Sequence, residues 1–469
     1  MSPEYENEKK RFTERYLGRN AKEQGRRTEE IRMSPLCSLA VAHKASRSIL
    51  PQYGLLGFHA GQSDDISDEE PILLNINAPN STFICGSQGS GKSYTLSAIL
   101  EDCLKKDASL NELKEPLAGV VFHYDNDSHT VAEAAHLCSL GIKVRVLVSK
   151  SSAATNLKQR YLDMPGVAKN LTVDNFVLQD RHLNVERMLK MMAFDEQDEK
   201  VPLYMVVIQR ILRDTAINGQ RFSFKKFLKD LKQEKFSPGQ EAMMDMRLNL
   251  LQSFMPQTAT EQGKDLFKTT PGTLTIVDFS DPLIDSSSAC VLFDTCLALF
   301  KENRPKSGLV VALDEAHKFL NKGAAAANFT ERLLQTIREQ RHNATRVIIA
   351  TQEPTISEKL LDLCSTSIVH RFTSPAWFNS IKDHLGGVSS LVAEAGDRNE
   401  IFGRIVDLNV GESLVFSPSS FVGLDGLEKP KKLGSGILRM KTRLREGVDG
   451  GRSVMAAGAG AGEGKEDEE

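Results

Sequence analysis

Short runs of apolar and mostly β-branched residues recur along the chain, separated by segments whose apolar residues recur at helical spacing. Several runs lack polar alternation, which is typical of strands that are buried on both faces of a parallel sheet. The predicted strands are residues 82–85, 120–124, 144–148, 273–277, 309–313, 347–350, 367–370 and 412–416. The pattern therefore predicts an α/β fold with a mostly parallel sheet between layers of helices.

The interval 152–270 departs from this pattern, because its apolar residues recur mostly at helical spacing and only residues 201–208 could form a buried strand. Ser223 is a suitable N-cap for an amphipathic helix, and Ser237 followed by Pro238 begins another. We interpret 152–270 as a largely helical insertion. It divides the expected core into a first part, 49–151, and a second part, 271–424.

The two ends of the chain differ from the centre in composition. Residues 1–48 alternate charges of both signs with few large apolar groups, and we expect a polar N-terminal arm there. Residues 425–469 are expected to form a low-complexity tail, which from 447 onward consists largely of Gly, Ala and Glu. Such a tail has too little apolar area to offset chain entropy, so it is predicted to be disordered.

Composition argues against several classes of protein. A net charge of -3 and a pI near 6.4 argue against coating nucleic acid by bulk charge. The seven cysteines include no C-x-x-C pair, so neither a zinc ribbon nor a disulfide framework is indicated, and we interpret them as core residues in a reducing compartment. The N-terminus lacks the apolar segment of a secretory signal, and no apolar run approaches the roughly 20 residues that cross a bilayer. We therefore expect a cytoplasmic or nuclear protein.

A glycine-rich loop follows the strand predicted at 82–85 and precedes a helical pattern, which is the context that a G-x-x-x-x-G-K-[ST] phosphate loop requires. Its backbone N–H groups and the helix N-terminus would face phosphate oxygens. Lys92 would reach the β- and γ-phosphates of ATP, and Ser93 would bind Mg²⁺. An accidental glycine turn is the alternative, and dinucleotide binding is disfavoured because the G-x-G-x-x-G spacing is absent. The predicted ATP-binding residues are Gly86, Ser87, Gln88, Gly89, Ser90, Gly91, Lys92, Ser93 and Tyr94.

Acidic and amide side chains follow two further predicted strands. Asp314 and Glu315 come directly after residues 309–313, at the edge where ligands bind to open parallel sheets. Asp314 would hold Mg²⁺, and Glu315 would orient and deprotonate the attacking water. A lone Asp-Glu pair is usually a solvated helix cap, but the phosphate loop favours the functional interpretation. Gln352 follows the strand at 347–350 and could sense the γ-phosphate, although such a glutamine alone is more often a loop residue.

The segments GSQGSGKS, VVALDEAH, REQRHNATRVIIATQEP and STSIVHRFTSPAW resemble, in this order, the HerA/FtsK superfamily of P-loop ATPases. The resemblance is closest to HerA-like and conjugative coupling-type members, and it extends from about residue 54 to residue 416. It also includes LTIVDFSDP and LNVGESLVF. It implies a RecA-like core, a ring with ATP sites between subunits, and ATP-driven movement of double-stranded DNA or another polymer.

The resemblance also suggests roles for individual residues. Gln352 matches the sensor glutamine of the family. Arg338, Arg341 and Arg371 match arginines of which one would reach the γ-phosphate of a neighbouring subunit, although each could instead be an ordinary surface arginine. The sequence departs from the family at Ala344, where the family has glycine. No β-barrel is evident ahead of the phosphate loop, and no winged-helix segment follows the core.

Two functions therefore compete, namely an oligomeric ATPase motor that acts on DNA and a nucleotide-controlled switch or scaffold with slow hydrolysis and a protein partner. A basic stretch in the insertion could follow a phosphate backbone, but Asp230 and Glu234 interrupt it. A solvated amphipathic helix is the ordinary interpretation of such a stretch, so DNA as a substrate depends on the resemblance. The basic residues are Arg221, Lys225, Lys226, Lys229, Lys232 and Lys235.

Overall fold

The computed structural model describes residues 5–6, 9, 21–45, 48–61, 63, 65–126, 130–164, 169–192, 203–219, 222–385 and 398–447. Strands β1 to β16 are, in chain order, Leu36–Ser38, Tyr53–His59, Pro71–Asn75, Ser81–Cys85, Asn111–Glu112, Ala118–His123, Lys143–Val148, Leu171–Asn175, Thr273–Asp278, Leu309–Leu313, Thr345–Thr351, Thr366–His370, Glu412–Phe416, Phe421–Leu424, Pro430–Lys432 and Leu438–Thr442.

Helices α1 to α15 are, in chain order, Ala21–Arg32, Leu39–Lys44, Lys92–Leu104, Leu157–Leu162, Val185–Met192, Leu203–Ile217, Phe224–Leu231, Pro238–Ser253, Ala259–Gly263, Ser286–Glu302, Ala324–Arg338, Gln340–Asn343, Glu358–Leu363, Pro375–Ile381 and Arg398–Val406. Short 3₁₀ helices lie at Glu133–Leu140, Lys150–Thr155, Asp180–His182 and Ala316–Lys318.

All of these strands belong to one mixed sheet. The order β12-β4-β11-β10-β6-β9-β7-β8 forms a block in which every neighbouring pair is parallel. Beyond β12 the sheet continues as a wing through β13, β16, β2, β3 and β1, whose pairs are antiparallel, and it ends with β14 and β15. Each strand predicted from the sequence is confirmed. The predicted strands are β13 and every strand of the parallel block except β8.

The parallel strands are apolar on both sides because each face of the sheet carries a separate core. Val120 and Phe122 of β6 face a core that includes α10, α11 and the helices of the insertion. Val121, between them, faces a core that includes α3. Since successive side chains of a strand point to opposite faces, a strand covered on both sides needs an unbroken apolar run.

The helical insertion is confirmed, and its first boundary is corrected. Helices α5 to α9 follow one another within it, residues 203–208 begin α6 rather than a strand, and α7 and α8 begin after Ser223 and Ser237 as expected. However, residues 171–175 form β8, which pairs with β7 at the end of the parallel block. Thr172 and Asp174 interrupt the apolar run of this edge strand, which is why its sequence lacks the signature of a buried strand.

The boundary of the N-terminal arm is also corrected. Residues 36–38 form β1 between β3 and β14, and Ile31, Cys37 and Val41 are buried in a small core with Phe421. The partner strand β14 lies almost four hundred residues later in the chain, so no local pattern could have indicated this pairing.

The C-terminal tail begins later than expected, because β15 and β16 both lie within 425–469. Leu438 and Met440 are buried while Lys441 is exposed, and β16 pairs with β13 and β2. The disorder predicted from 448 onward concerns residues outside the described part of the chain, as does most of the prediction for residues 1–20.

Two further observations concern the environment of the chain. Of the helices that the structure describes, none has both the length and the apolar character needed to cross a membrane. All seven cysteines are free thiols, six of them buried and Cys364 partly buried. The cysteines thus pack in the cores.

Candidate nucleotide-binding site

The glycine-rich loop connects β4 to α3, and its shape depends on two glycines. Gly86 has φ 154° and Gly91 has φ 113°. A Cβ atom at Gly86 would lie 2.7 Å from Cβ of His370, and one at Gly91 would lie 3.2 Å from Cα of Gly411. The loop therefore excludes side chains at both positions, and its backbone can approach a phosphate group closely.

Lys92 is the first residue of α3 and is nearly buried, at 5% exposure. Its Nζ atom donates a hydrogen bond to the carbonyl oxygen of Ser87 at 3.1 Å, so the amine closes over the loop. Burial lowers the pKa of Lys92, while the charges of Glu315 and Asp314 partly counteract this effect. The Ser87 N–H and Oγ each donate to the carbonyl oxygen of Arg371 at 2.9 Å, which joins the loop to the end of β12.

The carboxyl ends of β4, β10 and β11 lie beside one another, since Cys85 pairs with Thr351 and Leu313 pairs with Ile349. The residues that follow these strands therefore share one edge of the sheet. There the Gln352 Nε2 atom donates to Oε1 of Glu315 at 3.2 Å. The structure thus brings together the phosphate loop, the acidic pair and the glutamine that the sequence singled out separately.

Glu315 has an unusual backbone and a perturbed carboxyl group. Its φ of 48° and ψ of 46° lie in the left-handed region, which costs a non-glycine residue about 1 to 3 kcal/mol and persists mainly at functional sites. Burial raises the pKa of Glu315, and the charge of Asp314 raises it further, against the opposing charge of Lys92. A carboxylate with a raised pKa is a better proton acceptor, as a general base requires.

The remaining oxygen donors fit a magnesium ion. The Ser93 hydroxyl makes no hydrogen bond within the described residues, and the Nδ1 atom of His123 lies 3.4 Å from Oδ2 of the Asp314 carboxylate. Hydroxyl and carboxylate oxygens beside a phosphate site are the donors that Mg²⁺ uses, together with water and phosphate oxygens. These residues could therefore hold Mg²⁺ at this edge.

Two buried polar residues for which the sequence predicts no role, His123 and Asp278, lie behind the acidic pair. His123 ends β6 and Asp278 ends β9, directly opposite each other in the sheet register. Burial alone would lower the pKa of His123, but the charges of Asp278, Asp314 and Asp125 raise it to about 9. Polar residues at the ends of apolar runs, in HYDND and TIVDFSDP, were the signal that could have identified them.

The candidate arginines occupy different places. Arg371 adjoins the phosphate loop through its carbonyl oxygen, whereas Arg338 and Arg341 precede β11 and so lie near the opposite edge of the sheet. The seven residues of β11 separate the two edges by roughly 20 Å, so neither arginine reaches the loop of its own chain. All three side chains are exposed and make no hydrogen bond or ion pair within the described residues.

The residue that replaces the glycine of the resembling family retains a glycine-like backbone. Ala344 has φ 45° and ends α12 just before β11. A left-handed residue at this position is a common helix terminus that favours glycine, which explains why that residue type suits the motif.

The last described residues of the chain cover the helix that follows the loop. Arg443 donates to Oε2 of Glu101 at 2.8 Å and to Oδ1 of Asp102 at 3.0 Å, and all three side chains are buried. The Arg445 guanidinium lies 4.4 Å from the ring centre of Tyr94, whose hydroxyl accepts from the Arg445 N–H at 2.6 Å. Tyr94, predicted to contact ATP, is thus engaged with the C-terminal segment in this structure.

Comparison with known proteins adds information on the fold. No protein-family model and no curated protein sequence matches the chain. Among solved structures, VirB4 of Thermoanaerobacter pseudethanolicus is similar over 84% of this chain and 96% of its own, at 9% identity and a TM-score of 0.52. At this low identity the likeness concerns the fold alone.

Two other solved structures align less well. The genome packaging NTPase B204 from Sulfolobus turreted icosahedral virus 2, in complex with ATP-gammaS, aligns over 77% of this chain and 96% of its own, at 10% identity and a TM-score of 0.27. The cytoplasmic domain of the Type VII secretion ATPase EccC from Thermomonospora curvata aligns over 83% of this chain and 28% of its own, at 12% identity and a TM-score of 0.29.

The likeness to VirB4 covers most of both chains. The expected α/β core with a mostly parallel sheet is confirmed, and the chain has a fold similar to that of VirB4.

Proposed function

We propose that this chain binds ATP with Mg²⁺, hydrolyses it, and works as a homo-oligomeric motor that moves DNA. The observation that carries the proposal is the shared sheet edge at which Lys92, Asp314, Glu315 and Gln352 lie beside the glycine-rich loop. Groups of this kind at the carboxyl edge of a parallel sheet are the parts that P-loop enzymes use for phosphoryl transfer to water.

The mechanism follows from these contacts. The loop N–H groups bind the phosphates, and Lys92 transfers its hydrogen bond from the carbonyl oxygen of Ser87 to phosphate oxygens. Ser93 and Asp314 would hold Mg²⁺, which would neutralise charge on the phosphates. Glu315 accepts a proton from the attacking water, and Gln352, which already contacts Glu315, orients that water.

DNA should stimulate hydrolysis if the chain is a motor. We expect ATP turnover to rise when duplex DNA is added at low salt, and the native mass with ATP and Mg²⁺ to be that of an oligomer. Steady-state phosphate release and native mass spectrometry measure the two properties, with Lys92→Ala as the inactive control. A strict monomer that hydrolyses ATP slowly and ignores DNA would contradict the motor and favour the nucleotide-controlled switch.

The basic face of α7 offers a test of the DNA contact. Phe224, Phe227 and Leu231 are buried, whereas Lys225 and Lys229 on the other side are exposed, as is Lys232, the residue after the helix. These three ammonium groups make no ion pair within the described residues, so they are available to a phosphate backbone.

The triple variant K225E/K229E/K232E should bind duplex DNA more weakly, with the salt slope of binding lower by about one unit for each lysine that contacts a phosphate. Fluorescence anisotropy at several salt concentrations measures this slope. The variant K106E/K114E/K306E is the control. It makes the same change in net charge at exposed positions near the edge of the sheet opposite the phosphate loop. Equal losses in both variants would indicate a bulk charge effect and contradict a contact through α7.

A shared active site predicts complementation between inactive subunits. Arg338 and Arg341 cannot reach the loop of their own chain, so either would act only on a neighbouring subunit. We expect Arg341→Ala and Lys92→Ala to be inactive alone and to regain part of the ATPase activity when mixed, because some mixed interfaces contain both intact groups. Should mixing restore nothing, Arg338→Ala and Arg371→Ala are compared in the same way, and failure of all three contradicts an arginine supplied in trans.

A further inference from the structure

Three buried polar side chains extend from Asp314 away from the phosphate loop. The His123 Nδ1 atom lies 3.4 Å from Oδ2 of Asp314, and His123 is the register partner of Asp278 on the neighbouring strand β9. The Tyr161 hydroxyl of α4 donates to Oδ2 of Asp278 at 2.5 Å. His123 is 4% exposed, and Asp278 and Tyr161 are fully buried.

The outer end of this series is held firmly. Oδ1 of Asp278 accepts from the N–H of Ser280 at 2.8 Å, while the Tyr161 hydroxyl accepts from the N–H of Ala132 at 2.9 Å. Asp278 is therefore bound on both oxygens, and Tyr161 is fixed in orientation. Networks in which every buried polar group is satisfied are rigid, so this end provides a stable support.

The inner end of the series, at His123, has fewer hydrogen bonds than the outer end. Neither ring nitrogen of His123 has a hydrogen-bond partner within normal distance among the described residues, and the 3.4 Å separation from Asp314 is longer than a normal hydrogen bond. A buried polar group without a partner costs free energy that a purely structural position would avoid. A small movement of the Asp314 carboxylate toward the ring would complete the series.

We propose that Tyr161, Asp278 and His123 are positioning residues that orient the carboxylate of Asp314 for the magnesium–ATP complex. The inference rests on the proposed function and deepens it. Tyr161 fixes Asp278, and Asp278 is the register partner of His123. The His123 ring lies beside Oδ2 of Asp314 and leaves the other oxygen available to the metal. Residues that orient a metal-binding carboxylate typically change metal affinity about 10- to 100-fold when replaced.

The inference also connects the site to the region that leads into the helical insertion. Tyr161 lies on α4, between β7 and the edge strand β8, and the insertion follows β8. A displacement of α4 would therefore reach Asp314 through residues that are all buried. No residue of the phosphate loop belongs to this series. Variants in the series should therefore change Mg²⁺ binding without changing the contacts of the loop with the phosphates.

Tyr161→Phe removes a single hydroxyl group and provides the test. We expect the Mg²⁺ concentration for half-maximal binding of a fluorescent ATP analogue to rise about 10-fold. Binding of the same analogue in EDTA should stay unchanged, because the phosphate loop is intact. Tyr204→Phe is the matched control, since Tyr204 is also fully buried and its hydroxyl has no hydrogen bond within the described residues.

His123 variants test the inner end independently of the folding of the Tyr161 variant. His123→Ala should raise the Mg²⁺ concentration needed for half-maximal binding. His123→Asn retains a polar group close to the position of Nδ1, so it should raise this concentration less. Adding Tyr161→Phe to His123→Ala should cause little further change, because the hydroxyl acts through the ring.

Several results would overturn the inference. Unchanged Mg²⁺ dependence in both variants would do so, as would losses that are equal with Mg²⁺ and in EDTA, because these indicate general disruption of the site. Failure of the proposed function is distinguishable, since in that case the wild-type chain itself binds no nucleotide under either condition.

Discussion

Lys92→Ala is expected to weaken ATP binding by roughly 10- to 100-fold, because a hydrogen bond to a charged group contributes about 1.5 to 3 kcal/mol. Glu315→Gln should bind ATP within a few-fold of wild type and lower the turnover rate by about 10² to 10⁴, the usual contribution of a general base. Glutamine retains the size of the side chain and a hydrogen-bonding oxygen toward Gln352, so binding is spared. Equilibrium binding and single-turnover hydrolysis separate the two effects.

The pH dependence of turnover gives an internal control for this assignment. Because the pKa of Glu315 is raised by burial and by Asp314, the base becomes protonated at a higher pH than an ordinary glutamate. Turnover in the wild type should therefore fall as the pH decreases through that raised pKa. Glu315→Gln should lose this acidic limb. If Glu315→Gln lost ATP binding to the same extent as Lys92→Ala, Glu315 would have a structural role, and its assignment as the general base would be wrong.

Arg443→Met is expected to lower the free energy of unfolding by about 3 to 5 kcal/mol, since it leaves buried carboxyl groups without their partner. The guanidinium contacts Glu101, Asp102 and the carbonyl oxygen of Leu55, the last at 2.6 Å. Burial raises the pKa of Asp102 to about 8 despite the charge of Arg443, and this direction predicts that Asp102 holds a proton near neutral pH. Asp102→Asn should thus cost only about 1 kcal/mol.

The sign of the accompanying pH effect is determined by the raised pKa. Between an unfolded pKa of about 4 and a folded pKa of about 8, the folded chain keeps a proton that the unfolded chain has lost. The free energy of unfolding therefore decreases as the pH rises through this window, by at most about 1.4 kcal/mol per unit. Asp102→Asn should flatten this dependence in urea unfolding measured from pH 5 to pH 8. If Asp102→Asn were as unstable as Arg443→Met, this result would show that Asp102 is charged in the folded chain.

How much of the fold could be predicted depended on where each strand lies in the sheet. The run at 309–313 is fully apolar because β10 is covered on both faces, and this local signal was sufficient. The strand Leu438–Thr442 alternates buried and more exposed residues and was assigned to a tail, because its pairing with β13 and β2 leaves a weaker pattern. Strands at the margin of a core carry less apolar sequence, so they are harder to recognise.

The candidate site divides in the same way. The loop from Gly86 to Ser93 and the acidic pair could be predicted as a nucleotide site because the chemistry proposed for them depends on residue types at short spacing along the chain. The sequence shows His123 and Asp278 only as polar residues at strand ends, because they become neighbours only when β6 and β9 pair across a separation of more than 150 residues. A single histidine at the end of a strand has many possible roles, and only its surroundings select one.

By itself the sequence determined the alternation of strands and helices, the glycine-rich loop, and the acidic and amide residues that follow the neighbouring strands at the same edge of the sheet. These properties follow from local periodicity and from short motifs, in which each residue acts with its near neighbours. Only the tertiary structure decided the antiparallel wing, the docking of Arg443 on the helix after the loop, and the buried series behind Asp314. Each of these joins segments far apart in the chain, and the burial that makes their polar contacts strong exists only after the chain has folded.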